Sequence, residues 1–119
     1  MPSMTFGMQS EQAAATYLQE RGYRILHRNY RIARGEIDLV ADHQGTLVFI
    51  EVKARRSARF GSPAQAVDFR KQEKLIHVAQ HYLHRYHCGD RSCRFDVILL
   101  TQQLSGEVQI ELIQNAFEL

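Results

Sequence analysis

The chain has 119 residues and a mass of 13.8 kDa, with 45% hydrophobic and 24% charged residues. That is the size of one domain, 1–119, and an ordinary globular composition, which excludes a disordered or fibrous chain. Apolar runs reach no more than four residues, as in Val97–Leu100, so no membrane helix is expected. The stretch from Met1 to Leu18 lacks a basic segment followed by an apolar block, so the expected compartment is cytoplasmic, with Cys88 and Cys93 as reduced thiols.

The net charge of +2 hides an uneven distribution. Of twelve Arg and three Lys, twelve lie between Arg21 and Lys74, while from Gln102 onward there are three Glu and neither Lys nor Arg. Arginine offers planar, bidentate donors to phosphate, so an Arg-rich middle suits a phosphate-facing surface as well as it suits a solvated basic face.

A first helix is expected from about Gly7 to Arg21, with Ala14, Tyr17 and Leu18 at helical spacing and Gly22 as its stop. Tyr23 to Arg31 reads as a strand carrying much Arg. Glu36 to Ala41 and Leu47 to Ala54 are strands rich in Ile, Leu, Val and Phe, and a short turn containing Gly45 joins them into a hairpin. Arg55 to Gly61 is a basic loop. Ser62-Pro63-Ala64-Gln65 then carries the cap, the first-turn proline and the glutamine of a capping box. The helix it opens is expected to reach about His87, with a break near Asp68. Its stripe is Leu75, Val78, Ala79, Tyr82 and Tyr86, and Gly89 ends it. Arg94 to Thr101 is a strand buried on both faces, and Val108 to Ile113 a final edge strand. The order α-β-β-β-α-β-β gives an α/β fold with a mixed sheet and helices on its faces.

Alternation along the hairpin puts Glu36 and Asp38 on one face and Ile37 and Leu39 on the other. Glu51 and Lys53 likewise share a face. A two-residue turn at Gln44-Gly45 pairs residues whose numbers sum to 89, which sets Asp38 opposite Glu51 and Glu36 opposite Lys53. Neighbouring carboxylates repel unless a proton or a divalent cation lies between them. Hard oxygen donors favour Mg²⁺ or Mn²⁺, which can polarise a phosphoryl oxygen, while an adjacent lysine stabilises the developing charge. A cross-strand salt bridge between the acids and Lys53 is the plainer alternative.

Asp38, twelve residues, then Glu51-Val52-Lys53 resembles the signature of the restriction-endonuclease-like nucleases, with Ile37 where a proline usually precedes the aspartate. The chain from about Gly7 to Leu100 resembles, more narrowly, the bacterial YraN family. The matching blocks include Gly7-x-x-x-Glu11-x-x-Ala14, Arg28-Asn29-Tyr30-Arg31, Gly35-Glu36-Ile37-Asp38-Leu39-Val40, Phe49-Ile50-Glu51-Val52-Lys53-Ala54-Arg55, Phe60-Gly61-Ser62-Pro63 and Arg94-Phe95-Asp96-Val97. Ser10 departs from the glycine that usually precedes the helix glutamate.

The resemblance implies a restriction-endonuclease-like αβββαβ core plus a C-terminal edge strand. It also implies a Mg²⁺- or Mn²⁺-dependent endonuclease acting on DNA, with branched, Holliday-junction-like DNA as a candidate substrate and a homodimer as a candidate assembly. Carried over residue by residue, Asp38 and Glu51 would be metal ligands together with the Val52 carbonyl. Lys53 would be the catalytic lysine, and Glu11 an acid completing the site from the first helix. Glu11 would otherwise be a helix-dipole glutamate. Glu36 would support the site or pair with an Arg. Arg28, Arg31, Arg34, Arg55, Arg56, Arg59 and Lys71 would grip nucleic acid. The alternative is a binding or assembly module that keeps the fold without turnover.

His81, His84, His87, Cys88 and Cys93 form a second group that could hold zinc or simply end a helix. Tyr23 and Tyr30 could stack on bases or pack in the core.

Overall fold

In a computed structural model, which describes residues 6–56 and 68–118, the elements are α1 (Phe6–Glu20), β1 (Tyr23–Ile32), β2 (Gly35–His43), β3 (Thr46–Arg55), α2 (Phe69–Arg85), β4 (Cys93–Gln102) and β5 (Val108–Phe117). The order is the one expected from the sequence. The five strands form one sheet in the order β1-β2-β3-β4-β5. Only β3 and β4 run parallel, so the chain between them must cross over the sheet, and α2 lies in that crossover.

Each helix covers one face. On one side Ala14 and Leu18 of α1 meet Leu39, Ala41, Val48, Ile50, Ile98 and Leu100. On the other, Leu75, Val78, Ala79 and Tyr82 of α2 meet Tyr30, Ile37, Leu47, Phe49, Phe95 and Val97. Strand β4 is buried from Phe95 to Thr101, as a central strand covered on both faces must be. Gly35 lets β2 begin directly beneath α2: a Cβ there would lie 3.3 Å from Val78 Cγ2.

Several boundaries differ from expectation. The Ser62-Pro63-Ala64-Gln65 signature lies outside the described residues. The break expected near Asp68 is where α2 begins: Asp68 is extended (φ −77°, ψ 173°), and its carboxylate accepts the Lys71 N–H at 2.9 Å. The helix ends at Arg85, before His87, which is left-handed (φ 52°). Tyr86 caps it and stands 40% exposed rather than continuing the apolar stripe. Strand β5 runs past Ile113 to Phe117, whose ring stacks on Phe95 with centroids 4.4 Å apart.

Both strand tyrosines belong to the core. The Tyr23 hydroxyl donates to Asp96 Oδ2 at 2.7 Å and accepts from Arg94 and Gln114, each at 2.9 Å. Arg94 Nε and the Asn115 N–H complete the shell of the fully buried Asp96 at 3.0 and 2.9 Å. Tyr30 packs on Tyr82, with its hydroxyl 2.7 Å from His81 Nδ1. Cys88 and Cys93 are free thiols, and among the described residues no His/Cys group converges closely enough to hold a metal. No described helix is long and apolar enough to cross a membrane.

Candidate metal and nucleic-acid site

The hairpin turn uses Gln44 and Gly45, both left-handed (φ 53° and 88°), as a tight two-residue turn requires. The register that follows has the expected sum, from His43–Thr46 to Leu39–Ile50. There the ladder stops. The next hydrogen-bonded pair would be Ile37–Val52, but the Val52 N–H instead donates to Asp38 Oδ2 at 2.8 Å. The strands therefore do not continue into the Asp38–Glu51 and Glu36–Lys53 pairs.

The expected sharing of faces fails at the same point. Ile37 packs in the α2-side core and Leu39 in the α1-side core, although they are two residues apart. Strand β1 is irregular opposite. Arg28 pairs with Leu39 and Tyr30 with Ile37, which sets Asn29 across from Asp38, and Asn29 is left-handed with φ 54°. The sheet is locally opened where the acids stand.

The opening gathers carboxylates from two elements. Oxygens of Glu11 on α1 and of Glu36 and Asp38 on β2 lie within 4.8 Å of one another. Because α1 starts at Phe6, Glu11 stands past its first turn and is not a helix-dipole residue. Ser10 before it is buried and donates to the Phe6 carbonyl at 2.8 Å. With its amide nitrogen turned toward the acids, Asn29 donates to Glu36 Oε1 at 2.8 Å and to Glu11 Oε1 at 3.0 Å. Burial and the charges of Glu51, Glu11 and Glu36 push the Asp38 carboxyl up from 3.8 to about 7, against the Val52 N–H, which favours its ionised form.

Glu51 is buried and pairs with Lys71 of α2 at 2.6 Å, not with Lys53. Lys53 is exposed at the edge of the cleft and forms no ion pair among the described residues. Glu36 Oε2 accepts from Arg31 Nη2 at 2.7 Å and Nε at 3.0 Å, the arginine pairing expected for it.

The cleft has two lobes that share Glu36, Asp38, Glu51 and Lys71. One, about 550 Å³, adds Glu11, Asn29, Val52 and Lys53; the other, about 610 Å³, adds Arg34, Arg70 and Lys74.

The sequence pattern of Uncharacterised protein family UPF0102 matches residues 10–100. The chain belongs to this family. It is 47% identical to UPF0102 protein STH1475 of Symbiobacterium thermophilum over 97% of this chain and 98% of that one. It is 45% identical to UPF0102 protein NE0719 of Nitrosomonas europaea over 94% and 92% of the two chains. Among solved structures it is similar to an EndoMS–dsDNA2 complex, with a TM-score of 0.47, 22% identity and 89% of this chain aligned. It is also similar to Pyrococcus furiosus SfsA in complex with Ca²⁺, with a TM-score of 0.37, 14% identity and 95% aligned. The UPF0102 chain spans 41% of the EndoMS chain and 63% of the SfsA chain.

The arginines expected to grip nucleic acid divide into groups. Arg31 is held by Glu36, Arg28 Nη1 donates to Gln12 at 3.0 Å, and Arg55 Nε donates to Thr101 at 3.2 Å. The Arg56 guanidinium lies over the Phe6 ring at 4.8 Å. Arg34, 3.3 Å from His77 Nε2, lines the basic lobe. Arg59 lies outside the described residues. Neither Asn29 nor the α2 residues Arg70 and Lys74 of this UPF0102 chain were among the expected site residues. A signal existed for α2: Lys74 follows Arg70 by four residues and Lys71 by three, which makes it a helical neighbour of both.

Proposed function

We propose that this protein binds DNA and hydrolyses its phosphodiester bonds with the aid of Mg²⁺ or Mn²⁺. The observation that carries the reading is the meeting of Glu11, Glu36 and Asp38 within 4.8 Å, beside Glu51 and at the edge of a basic lobe. The donor set suits a hard divalent cation: oxygens only, around an Asp38 carboxyl that burial and the neighbouring acids make harder to ionise. Glu11, Glu36 and Asp38 would hold it, with Glu51 and the Val52 carbonyl as further oxygens. When bound, such an ion polarises a phosphoryl oxygen and acidifies water.

The protein's own groups do the rest. The Val52 N–H fixes the orientation of the Asp38 carboxylate. Lys53, exposed at the edge of the cleft, would stabilise charge developing on the phosphoryl oxygens. Arg34, Arg70, Lys71 and Lys74 receive the neighbouring phosphates, and Arg28, Arg31, Arg55 and Arg56 extend that surface. The free thiols fit a reducing, cytoplasmic compartment.

The test is incubation of the purified protein with Mg²⁺ or Mn²⁺ and duplex, single-stranded or four-way-junction DNA, with Asp38→Ala as control. Metal-dependent cleavage that the variant lacks is expected, and preference for the junction would identify branched DNA as the substrate. Equal cleavage by the variant refutes the site. Binding of every DNA without cleavage of any refutes turnover and leaves a binding module.

A further inference from the structure

We infer that Asn29 is the positioning residue of this site, the group that brings the α1 carboxylate of Glu11 to the β2 carboxylates. The inference rests on the metal-site reading above. Two features meet at this one residue. Its backbone is left-handed within a strand, which a non-glycine residue adopts rarely and Asn more readily than most. Its amide, with the nitrogen turned toward the acids, donates to both Glu11 and Glu36.

The backbone feature explains the side-chain one. The pairs Arg28–Leu39 and Tyr30–Ile37 hold β1 in register on either side, so the left-handed step at Asn29 lies across from Asp38 and apart from the register shift between Ile25 and His27. There the side chain reaches acids on two different elements. An amide nitrogen carries two hydrogens and no charge. It can satisfy one oxygen of each glutamate without adding charge, while the second oxygen of Glu36 accepts from Arg31. A lysine or arginine there would neutralise the acids and compete with a cation, and an aspartate would add to their repulsion. Glu11 has no covalent reason to stand near Glu36: it comes from another element. The shared donor supplies that reason, and so decides whether the site has two carboxylates or three.

Asn29 touches neither the substrate nor, in this reading, the ion. It acts through Glu11 and Glu36, and loss of such an outer hydrogen bond typically weakens metal affinity by about 10–100-fold. Asn29→Gly separates the two features, because glycine keeps the left-handed backbone and removes the amide.

Mn²⁺ binding is measured by calorimetry on the wild type, Asn29→Gly, Glu11→Gln and the double variant, with thermal melts as a check on folding. Asn29→Gly should melt close to the wild type yet bind Mn²⁺ about 10-fold more weakly. The double variant should lose less than the product of the two single losses, because the amide acts in part through the Glu11 carboxylate. Unchanged affinity in Asn29→Gly, or a double variant whose loss equals the full product of the two single losses, overturns the positioning role.

A crystal structure of metal-free Asn29→Gly gives a readout that needs no metal. Glu11 turned away from Glu36 supports the role, and Glu11 still beside Glu36 overturns it. Failure of the wild type to bind Mn²⁺ overturns the metal-site reading instead, and the crystal structure still decides whether Asn29 places Glu11.

Discussion

Replacing Asp38 by Asn should make the metal-free protein more stable at pH 8, although it removes a residue assigned to the active site. In the folded protein the Asp38 carboxyl titrates at about 7, against an ordinary 3.8. That gap is about three powers of ten in proton affinity, each worth about 1.4 kcal/mol. Ionised Asp38 therefore costs the fold up to about 4 kcal/mol, and solvent at the cleft reduces this to roughly 1–3 kcal/mol. The folded value is the higher one, so the folded state binds the proton more tightly. The stability that Asp38 contributes is complete below about 3.8 and is lost as the pH rises through about 7.

Asparagine stays neutral throughout, and its amide oxygen can still accept the Val52 N–H that Asp38 Oδ2 accepts at 2.8 Å. At roughly 4 °C per kcal/mol for a domain of this length, Asp38→Asn should melt about 4–12 °C above the wild type at pH 8 in EDTA, and level with it at pH 4. Adding Mn²⁺ at about 100 times its Kd should raise the wild type by about 2.7 kcal/mol through mass action, and the variant by far less. Circular-dichroism melts at both pH values, with and without Mn²⁺, measure all of this. A variant less stable than the wild type at pH 8 in EDTA would refute the reasoning, because ionised Asp38 would then not be held against its burial and its acidic neighbours. A gap that persists at pH 4 would refute it too.

Lys53→Ala should abolish cleavage while leaving Mn²⁺ and DNA binding within about threefold, since the lysine acts on transition-state charge; wild-type turnover by the variant refutes that role. DNA affinity should fall by about 10³-fold between 50 and 200 mM salt if about six phosphates are contacted. Replacing Arg34 and Arg56 by Ala should then lower the slope of log K against log salt by about 2, and an unchanged slope places the DNA elsewhere. Asp96→Ala should cost about 3–5 kcal/mol in urea unfolding, because it strands the Arg94 guanidinium and the Asn115 N–H; a loss under about 1 kcal/mol shows the network to be dispensable.

The hairpin register was legible because two local signals agreed: a two-residue turn at Gln44-Gly45, and alternation in the strands it joins. The burial of β4 was legible from Val97–Leu100 alone. The partner of Glu51 was not. Lys53 is its neighbour in sequence, but a strand sends residues i and i+2 out side by side without bringing their charges together. Lys71 reaches Glu51 because Asp68 starts α2 at a point that aims its first turn into the cleft. That depends on where a helix begins, which sequence patterns fix least well.

The split between Asp38 and Val52 was hidden for a different reason. Alternation assumes an unbroken ladder, and every residue from Glu36 to Ala41 is compatible with one. What breaks it is a carboxylate taking a backbone N–H that a carbonyl would otherwise accept, opposite an asparagine in a conformation strands avoid. Neither event leaves a mark in hydrophobic periodicity. Both fall at one level of the sheet, and the same residues hold Glu11 and Glu36 close to Asp38. A fold selected for stability alone would close this ladder and separate these charges. Local rules are broken, at a cost in stability, mainly where a site requires it. The irregular pair Asn29 and Asp38 marks the proposed site more sharply than the spacing of the acids does.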